Sequence, residues 1–342
     1  MGGLFDDPEI AEFLSAPSQL KAMIRVEQAY AISLGRAGAV DASIASRAAE
    51  AIAAAKIDIS DLRDGATRDG LPVPALVAQL REALAPELHV ALHKGLTSQD
   101  VIDTALVLAL SPICDVLEQR ILALSTALDA LSDRHGSTDL MGRTRMQAAL
   151  PISVADRIET WSLPLARHVA RLAEIRQRLL VLQFGGAVGT RHVLGDTSDA
   201  VASVFAAELG LECLGKADHA MRDTIGEFAN WLSLVSGSLG KMGQDIALMA
   251  QQGLDEIDVV GGGSSSAMPH KSNPILAELL VTLARYNATQ LSGMHQALIH
   301  EQERSGAAWA LEWMIVPSMI LSTSRGLSAG SELVASIERI GV

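Results

Sequence analysis

Eleven prolines punctuate the 342-residue chain, yet none falls between Pro164 and Pro269. Proline breaks or kinks a helix interior, so this interval is open to unusually long helices. Its apolar residues Ile225, Phe228, Trp231, Leu232, Leu234, Val235, Leu239, Met242, Ile246, Leu248 and Met249 recur mainly at steps of three and four. That is the period of one helix face. The spacing predicts a helix over about 220–253, roughly 50 Å long at 1.5 Å per residue. Four glycines interrupt the interval in FGGAVGTRHVLGDTSD, residues 184–199, and mark a break. Helices are expected on either side, over 153–183 and 197–209. Others are expected over 18–37, 41–56, 72–84, 98–131, 274–300 and 306–338. No run shows the period-two alternation of a strand, and there is no internal repeat.

Composition agrees with an all-α fold. Hydrophobic residues make up 49% and charged residues 20%, but aromatics only 3%. A core of Ala, Leu, Ile, Val and Met suits helix-on-helix packing; a β-rich core would want more aromatic and β-branched residues. The formal net charge of −13 disfavours nucleic acid and anionic membranes as partners. No apolar run reaches the roughly 18 residues that span a bilayer. The acidic start MGGLFDDPEIAEF lacks the pattern of a secretory signal. Two cysteines, Cys114 and Cys213, make no disulfide framework and suit a reducing cytoplasm. The nine histidines are scattered, with no HExxH and no zinc-like Cys/His spacing, so the pattern gives no zinc site.

Three polar stretches stand out against this background. In HKGLTSQDVIDTALVLAL, residues 93–110, Thr97 with Asp100 three residues on resembles a capping box. A helix N-terminus also offers N–H donors and a positive dipole end to a carboxylate ligand, and the two readings are compatible. Thr97, Ser98 and Gln99 are candidate contacts, with His93 and Lys94 just upstream. In MGRTRMQAALPIS, residues 141–153, Arg143 and Arg145 flank Thr144. They read as a solvated turn or as planar forks for carboxylates, with Pro151 marking the entry to the next helix. The third stretch is GGGSSSAMPHKSNP, residues 261–274. Gly261 to Gly263 permit backbone angles other residues avoid. Asn273 fits a helix N-cap and Pro274 the first helical position. Such composition often forms a linker; glycines followed by a hydroxyl, a cation and an amide also describe a mobile lid.

SSSAMPHKSNP resembles the signature of the fumarase/aspartase superfamily, with Ser264 in place of its glycine. TSQDVIDTA and GRTRMQAALP are similar to that superfamily's other two active-site segments, in the same order. ATRDGLPVPALVAQL (66–80), FGGAVGT and HEQERSGAAWALEW (300–313) extend the likeness toward its lactone-forming branch, the carboxymuconate cycloisomerases. An adenylosuccinate lyase-like β-elimination releasing fumarate is the alternative. Arg145 stands where the lyases carry an acid/base histidine and the cycloisomerases tend to carry a tryptophan.

The resemblance implies long helical bundles, pooled between subunits of a homotetramer with composite active sites. It implies no cofactor and a small tricarboxylate substrate. Ser265 is then the acid/base and Lys271 its charge-stabilising neighbour. Thr97, Ser98, Gln99, Arg143, Thr144, Arg145, Ser266, Met268, His270 and Asn273 would bind substrate, with Arg304 within the cationic set. Residues 1–92 would form an N-terminal helical domain and 93–342 the bundle. The family's usual C-terminal helical domain is expected to be absent.

Overall fold

The computed structural model describes residues 2–213, 215–264, 268 and 272–342. Among them the chain forms eleven α-helices. The first five are α1 (Pro8–Phe13), α2 (Ala16–Arg36), α3 (Ala42–Ala54), α4 (Ile59–Asp69) and α5 (Val73–Ala83). The long α6 (Ser98–His135) leads into the strands β1 (Asp139–Thr144) and β2 (Gln147–Ser153), then α7 (Val154–Leu179), α8 (Ser198–Leu209) and α9 (Asp223–Met249). Three short strands follow, β3 (Ile257–Val259), β4 (Gly263–Ser264) and β5 (Ser272–Asn273), then α10 (Ile275–Ala297), α11 (Gly306–Ala335) and β6 (Ile337–Ile340). The expected all-α architecture of long helices is what the chain adopts.

Helix α6 shows why. Leu110, Ile113, Cys114, Leu117, Ile121, Leu124, Leu128 and Leu131 recur at three- and four-residue steps, and each is wholly buried. Burying such a side chain contributes about 1.5–3 kcal/mol, enough for this stripe to dictate which face turns inward. In the bundle it packs directly on α7 and α11, and with them α9 and α10 share one apolar core with it. These five helices run alternately up and down.

Small residues bring α9 and α10 close together. A Cβ on Gly240 would lie 2.5 Å from Ala284 Cβ, and one on Gly243 would lie 2.6 Å from the Ala277 carbonyl oxygen. In the middle of the bundle Asn287 donates to Ser236 Oγ (2.6 Å) and to Thr323 Oγ1 (2.9 Å). One buried amide thereby ties three helices, α10, α9 and α11, at a fixed register.

A second apolar core gathers α2, α3, α5 and α8 around the first turns of α6. Three of the chain's scarce aromatics meet here. The rings of Tyr30, Phe184 and Phe205 meet with centroids 5.2–5.7 Å apart. Phe184 begins the glycine-rich segment, so the break between α7 and α8 is anchored at its first residue.

The β structure departs from the expectation of none. β1 pairs with β2, β3 with β6 and β4 with β5, all antiparallel. These two-stranded ribbons lie where helices turn round. Residues 141–153 thus form a hairpin, and Pro151 sits within β2 opposite Met141. Ser153 starts α7 instead, its hydroxyl accepting the Asp156 N–H. Asn273 likewise is no helix cap: it pairs with Gly263 in the ribbon, and Pro274 takes the cap position of α10. Two helices, α1 and α4, were not anticipated. Among the described residues no helix is long and apolar enough to cross a membrane.

The glycines of α9 give opposite expectations. Gly243→Ala forces a methyl group against a carbonyl oxygen and is expected to destabilise the chain by about 1–3 kcal/mol. At Gly237 an added Cβ would meet nothing within 4 Å. Gly237→Ala is therefore expected to stabilise by about 0.5–1 kcal/mol through helix propensity alone. Urea unfolding of both variants checks the contrast, and shifts of the same sign would remove close packing as the reason for Gly243.

Candidate active site

Thr97 and Asp100 close the expected capping box at the start of α6, the Thr97 N–H donating to Asp100 Oδ2 at 2.9 Å. Asp100 does much more than cap. It is wholly buried and accepts the Gly185 N–H at 2.7 Å and the Gly186 N–H at 2.9 Å. His219 Nε2 lies 2.9 Å from its other side. A carboxylate taken out of water must be met by donors, and here they come from the helix start and the glycine-rich segment, with the imidazole of the loop before α9 in ion-pair range. Asp100 thus pins these three pieces together.

One turn further along α6, Asp103 is held by Arg222 Nη1 at 2.8 Å and by Trp309 Nε1 at 3.0 Å. Arg222 also grips Glu312 through Nε and Nη2, at 2.9 and 2.6 Å. All three charged groups are at most 4% exposed. Two carboxylates around one guanidinium hold the arginine firmly protonated, against the burial that opposes its charge. Removing one member of such a group costs several kcal/mol, because a buried charge is left behind.

Gln99 lies between these two clusters and is wholly buried. Its amide nitrogen donates to Asp103 Oδ2 (3.1 Å) and to the His219 carbonyl (2.9 Å). Its amide oxygen accepts from Arg304 Nε at 2.9 Å. The exposed Arg304 also donates to the Ala187 carbonyl at 3.3 Å. The segments 93–110, 184–199 and 300–313, far apart in the chain, therefore meet at one end of the bundle. Thr97 and Ser98 sit there half-buried.

His93 and Lys94 turn the other way, toward α2. His93 Nδ1 lies 2.5 Å from the buried Glu27 carboxylate, and Lys94 Nζ donates to the Ala39 carbonyl at 3.2 Å.

The arginine hairpin is at the opposite end. α6 has 38 residues, so about 57 Å of rigid helix separates Thr97 from the start of β1. Arg143 Nη2 donates to Glu256 Oε1 at 2.6 Å. Thr144 faces Gln147 across the turn. Arg145 and Met146 form that turn, both with positive φ, 49° and 67°, the two-residue geometry that matches strand twist. Residues 143–151 are exposed along their whole length, with Met146 and Leu150 each 73% exposed.

The described ends of the serine segment, residues 261–264 and 272–274, belong to the same end as the hairpin. Gly341 donates to the Glu256 carbonyl and Val342 to that of Asp139, each bond being 2.9–3.0 Å long. The pairing of Gly263 with Asn273 and of Ser264 with Ser272 holds the base of this segment together. Space beside that ribbon is tight: a Cβ on Gly262 would lie 2.0 Å from Ser272 Oγ and 3.0 Å from the Asn273 carbonyl oxygen. Met268 is 43% exposed. Ser265, Ser266, His270 and Lys271 lie outside the described residues.

Among the described residues no cluster of His, Cys, Asp and Glu has the arrangement of a metal site. A groove of about 280 Å³ between α2, α6 and α11 is lined mainly by apolar residues such as Met23, Ile102, Leu106, Trp313 and Val316. Its one carboxylate, Glu312, is already engaged by Arg222, so this groove offers little chemistry. The polar residues that sequence reading missed are Asp103, His219, Arg222 and Glu312. The only signal for Asp103 and Glu312 was charge on apolar helices, and His219 and Arg222, in the loop before α9, gave none.

The His93–Glu27 pair generates a pH prediction. Burial opposes protonation of His93, but the Glu27 charge and hydrogen bond, with Asp100 behind, hold its pKa above the ordinary imidazole value. The folded chain then keeps a proton that the unfolded chain releases near pH 6.5. Stability from this pair is full below that pH and is lost as pH rises through the folded-state value. Denaturant unfolding of wild type and His93→Gln from about pH 6 to about pH 9 is expected to show a difference that shrinks with rising pH. A difference that grows would mean His93 is neutral in the native state.

Known proteins share this arrangement across nearly the whole chain. A family model described as Lyase matches residues 7–287. The 3-carboxy-cis,cis-muconate cycloisomerase of Pseudomonas aeruginosa is 36% identical over 349 residues, spanning 98% of this chain and 75% of that protein. The crystal structure of 3-carboxy-cis,cis-muconate lactonizing enzyme from Pseudomonas putida superposes with a TM-score of 0.91 at 35% identity, over 98% of this chain and 76% of that one. The fumarate lyase from Mesorhizobium sp. BNC1 superposes equally well, TM-score 0.91, at 32% identity and with the same coverage. The chain belongs to this lyase family, and through it to the fumarase/aspartase superfamily.

Proposed function

We propose that this protein is a 3-carboxy-cis,cis-muconate cycloisomerase, forming 4-carboxymuconolactone in the degradation of protocatechuate. The observation that carries the reading is the 36% identity to the P. aeruginosa cycloisomerase over 98% of the chain. It also favours ring closure over the release of fumarate from adenylosuccinate.

In the reaction one substrate carboxylate adds to a carbon of its own diene, forming a C–O bond. A proton then joins the carbon beside another carboxylate. Atoms are only rearranged, so the step needs no electron acceptor. The demanding moment is the build-up of charge on that second carboxylate as an enediolate, which preorganised donors must hold. Lys271 and Asn273 suit this task, and Ser265 is placed by the superfamily motif to carry the proton. A serine hydroxyl is a weak acid, so it needs a cation and backbone donors close by. Arg143, Arg145 and Arg304 are forks for the three substrate carboxylates, and Thr97 and Ser98 line the helix start.

The length of α6 supports a site assembled from several chains. Thr97 and Arg304 sit at one end of α6, and Arg143 and the described ends of the serine segment at the other. If all act on one substrate, they come from different copies. The exposed hairpin with Met146 and Leu150 suits burial against another subunit. A homotetramer in which the five-helix bundles pool accommodates both facts.

A substrate-consumption assay following the conjugated-diene absorbance of 3-carboxymuconate tests the activity. Ser265→Ala is expected to lower kcat by about 10²–10⁴-fold, leaving helicity and assembly unchanged. Fumarate release from adenylosuccinate without loss of the muconate signal would replace the reading with the lyase one. Mixing Ser265→Ala with Arg304→Ala chains, then refolding them together, is expected to restore about a quarter of wild-type activity by random assortment. No recovery would place the whole site within one chain.

A further inference from the structure

Gln99 reads in the sequence as a substrate contact, but its surroundings point elsewhere. Its side chain is wholly buried, and both ends of its amide are occupied within the chain. The orientation of that amide is forced. On one side stand two acceptors, the Asp103 carboxylate and the His219 carbonyl, which only the NH₂ group can satisfy. The oxygen must then face the other way, where it accepts from Arg304 Nε.

Asp103 is itself immobilised by Arg222 and by the Trp309 indole, and Arg222 by Glu312. The result is a chain of buried hydrogen bonds running from Glu312 through Arg222, Asp103 and Gln99, with the exposed Arg304 at its outer end. Among the described residues, Gln99 and Ala187 use two of the five N–H donors of Arg304. The rest of the fork is available to an oxyanion.

We infer that Gln99 is a positioning residue: it does not touch the substrate but orients Arg304 to grip a carboxylate. This deepens the proposed function and rests on its reading of this end of the bundle as part of a polycarboxylate site. The choice of a neutral amide is physically apt. A carboxylate in the place of Gln99 would hold Arg304 more tightly but cancel its charge, and it would stand beside Asp100 and Asp103 in the interior. An apolar side chain would leave the guanidinium unaligned and the His219 carbonyl unpaired.

A double-mutant cycle separates this role from a general structural one. Binding of propane-1,2,3-tricarboxylate to the full chain is measured by calorimetry for wild type, Gln99→Leu, Arg304→Ala and the double variant, with thermal melting of each. Each single change is expected to weaken binding about tenfold, the size of one lost charge-assisted contact. The double variant is expected to bind no worse than the weaker single one, because Gln99 acts through Arg304. Losses that multiply, or a Gln99→Leu chain that binds normally, would overturn the inference.

Arg304→Lys supplies a test that leaves the interior intact. It keeps the charge but cannot bond Gln99 while presenting a planar fork outward, so it is expected to lose most of the affinity that Arg304→Ala loses. Wild-type affinity in Arg304→Lys would show that orientation is irrelevant. The readout is independent of turnover. If 3-carboxymuconate is not consumed but the cycle is non-additive, the functional reading fails and the role of Gln99 stands.

Discussion

The length and stiffness of α6 govern the rest of this molecule. A helix of 38 residues is a spacer of about 57 Å, and the chain puts polar machinery at both ends of it. The N-terminal end carries Thr97, Ser98 and the glycine-rich segment; the C-terminal end leads directly into the arginine hairpin. No loop movement brings these ends together within one chain. The other four long helices repeat the constraint, because each begins at one end of the bundle and finishes at the other. Every connection between them is therefore assigned to one end or the other by topology alone. Loops 180–197 and 298–305 fall with Thr97, whereas 139–153, 250–264 and 272–274 fall with Arg143.

The two ends are stabilised by different physics. At the hairpin end, short ribbons tie the loops through backbone hydrogen bonds, and side chains there stay largely in water. At the Thr97 end the ties are buried charges. Asp100, Asp103, Arg222 and Glu312 are desolvated, which is costly, and the cost is offset because each carboxylate is met by several donors. Such a network rewards one arrangement and penalises all others, since a displaced partner leaves a charge stranded. It fixes the start of α6 against segments more than 80 residues away. The apolar stripe alone would allow the helix to slide or rotate by small steps.

How much of this was legible beforehand depended on whether the cause was local. The long helices were visible because three- and four-residue apolar spacing is a local pattern, and their breaks were visible because glycine and proline are local signals. The capping box at Thr97 was legible for the same reason. α4 was missed because only Leu62 and Gly65 of its eleven residues are buried, leaving almost no stripe to read. The β1–β2 hairpin was missed because residues 143–151 are exposed and leave no alternating pattern, and because its turn uses Arg145 and Met146, with none of the usual Asn-Gly chemistry. The ion network was invisible in principle. Asp103 and Arg222 are 119 positions apart, Arg222 and Glu312 90, and nothing in either neighbourhood announces the other. The serine segment was legible as a motif, through family resemblance, whereas its composition alone reads as either a linker or a lid, with the residues after the serines favouring the lid.

The contrast between the two held arginines shows how a strongly acidic chain can still present cations. Arg143 is oriented by Glu256, a buried carboxylate, and Arg304 by Gln99, a buried amide. An ion pair fixes direction strongly but spends much of the guanidinium's charge on its partner, so the field felt by a ligand is reduced. A neutral amide fixes direction with one hydrogen bond and leaves the charge whole. A polyanionic ligand lying between two such residues would feel the Arg304 side as the stronger attraction and the Arg143 side as the more rigid template. Long-range attraction from the chain as a whole cannot supply that pull, because the net charge is −13 and repels anions at a distance. Binding must then come from contacts made within a few ångströms. These contacts depend on geometry, and so on the buried partners that hold each guanidinium in place.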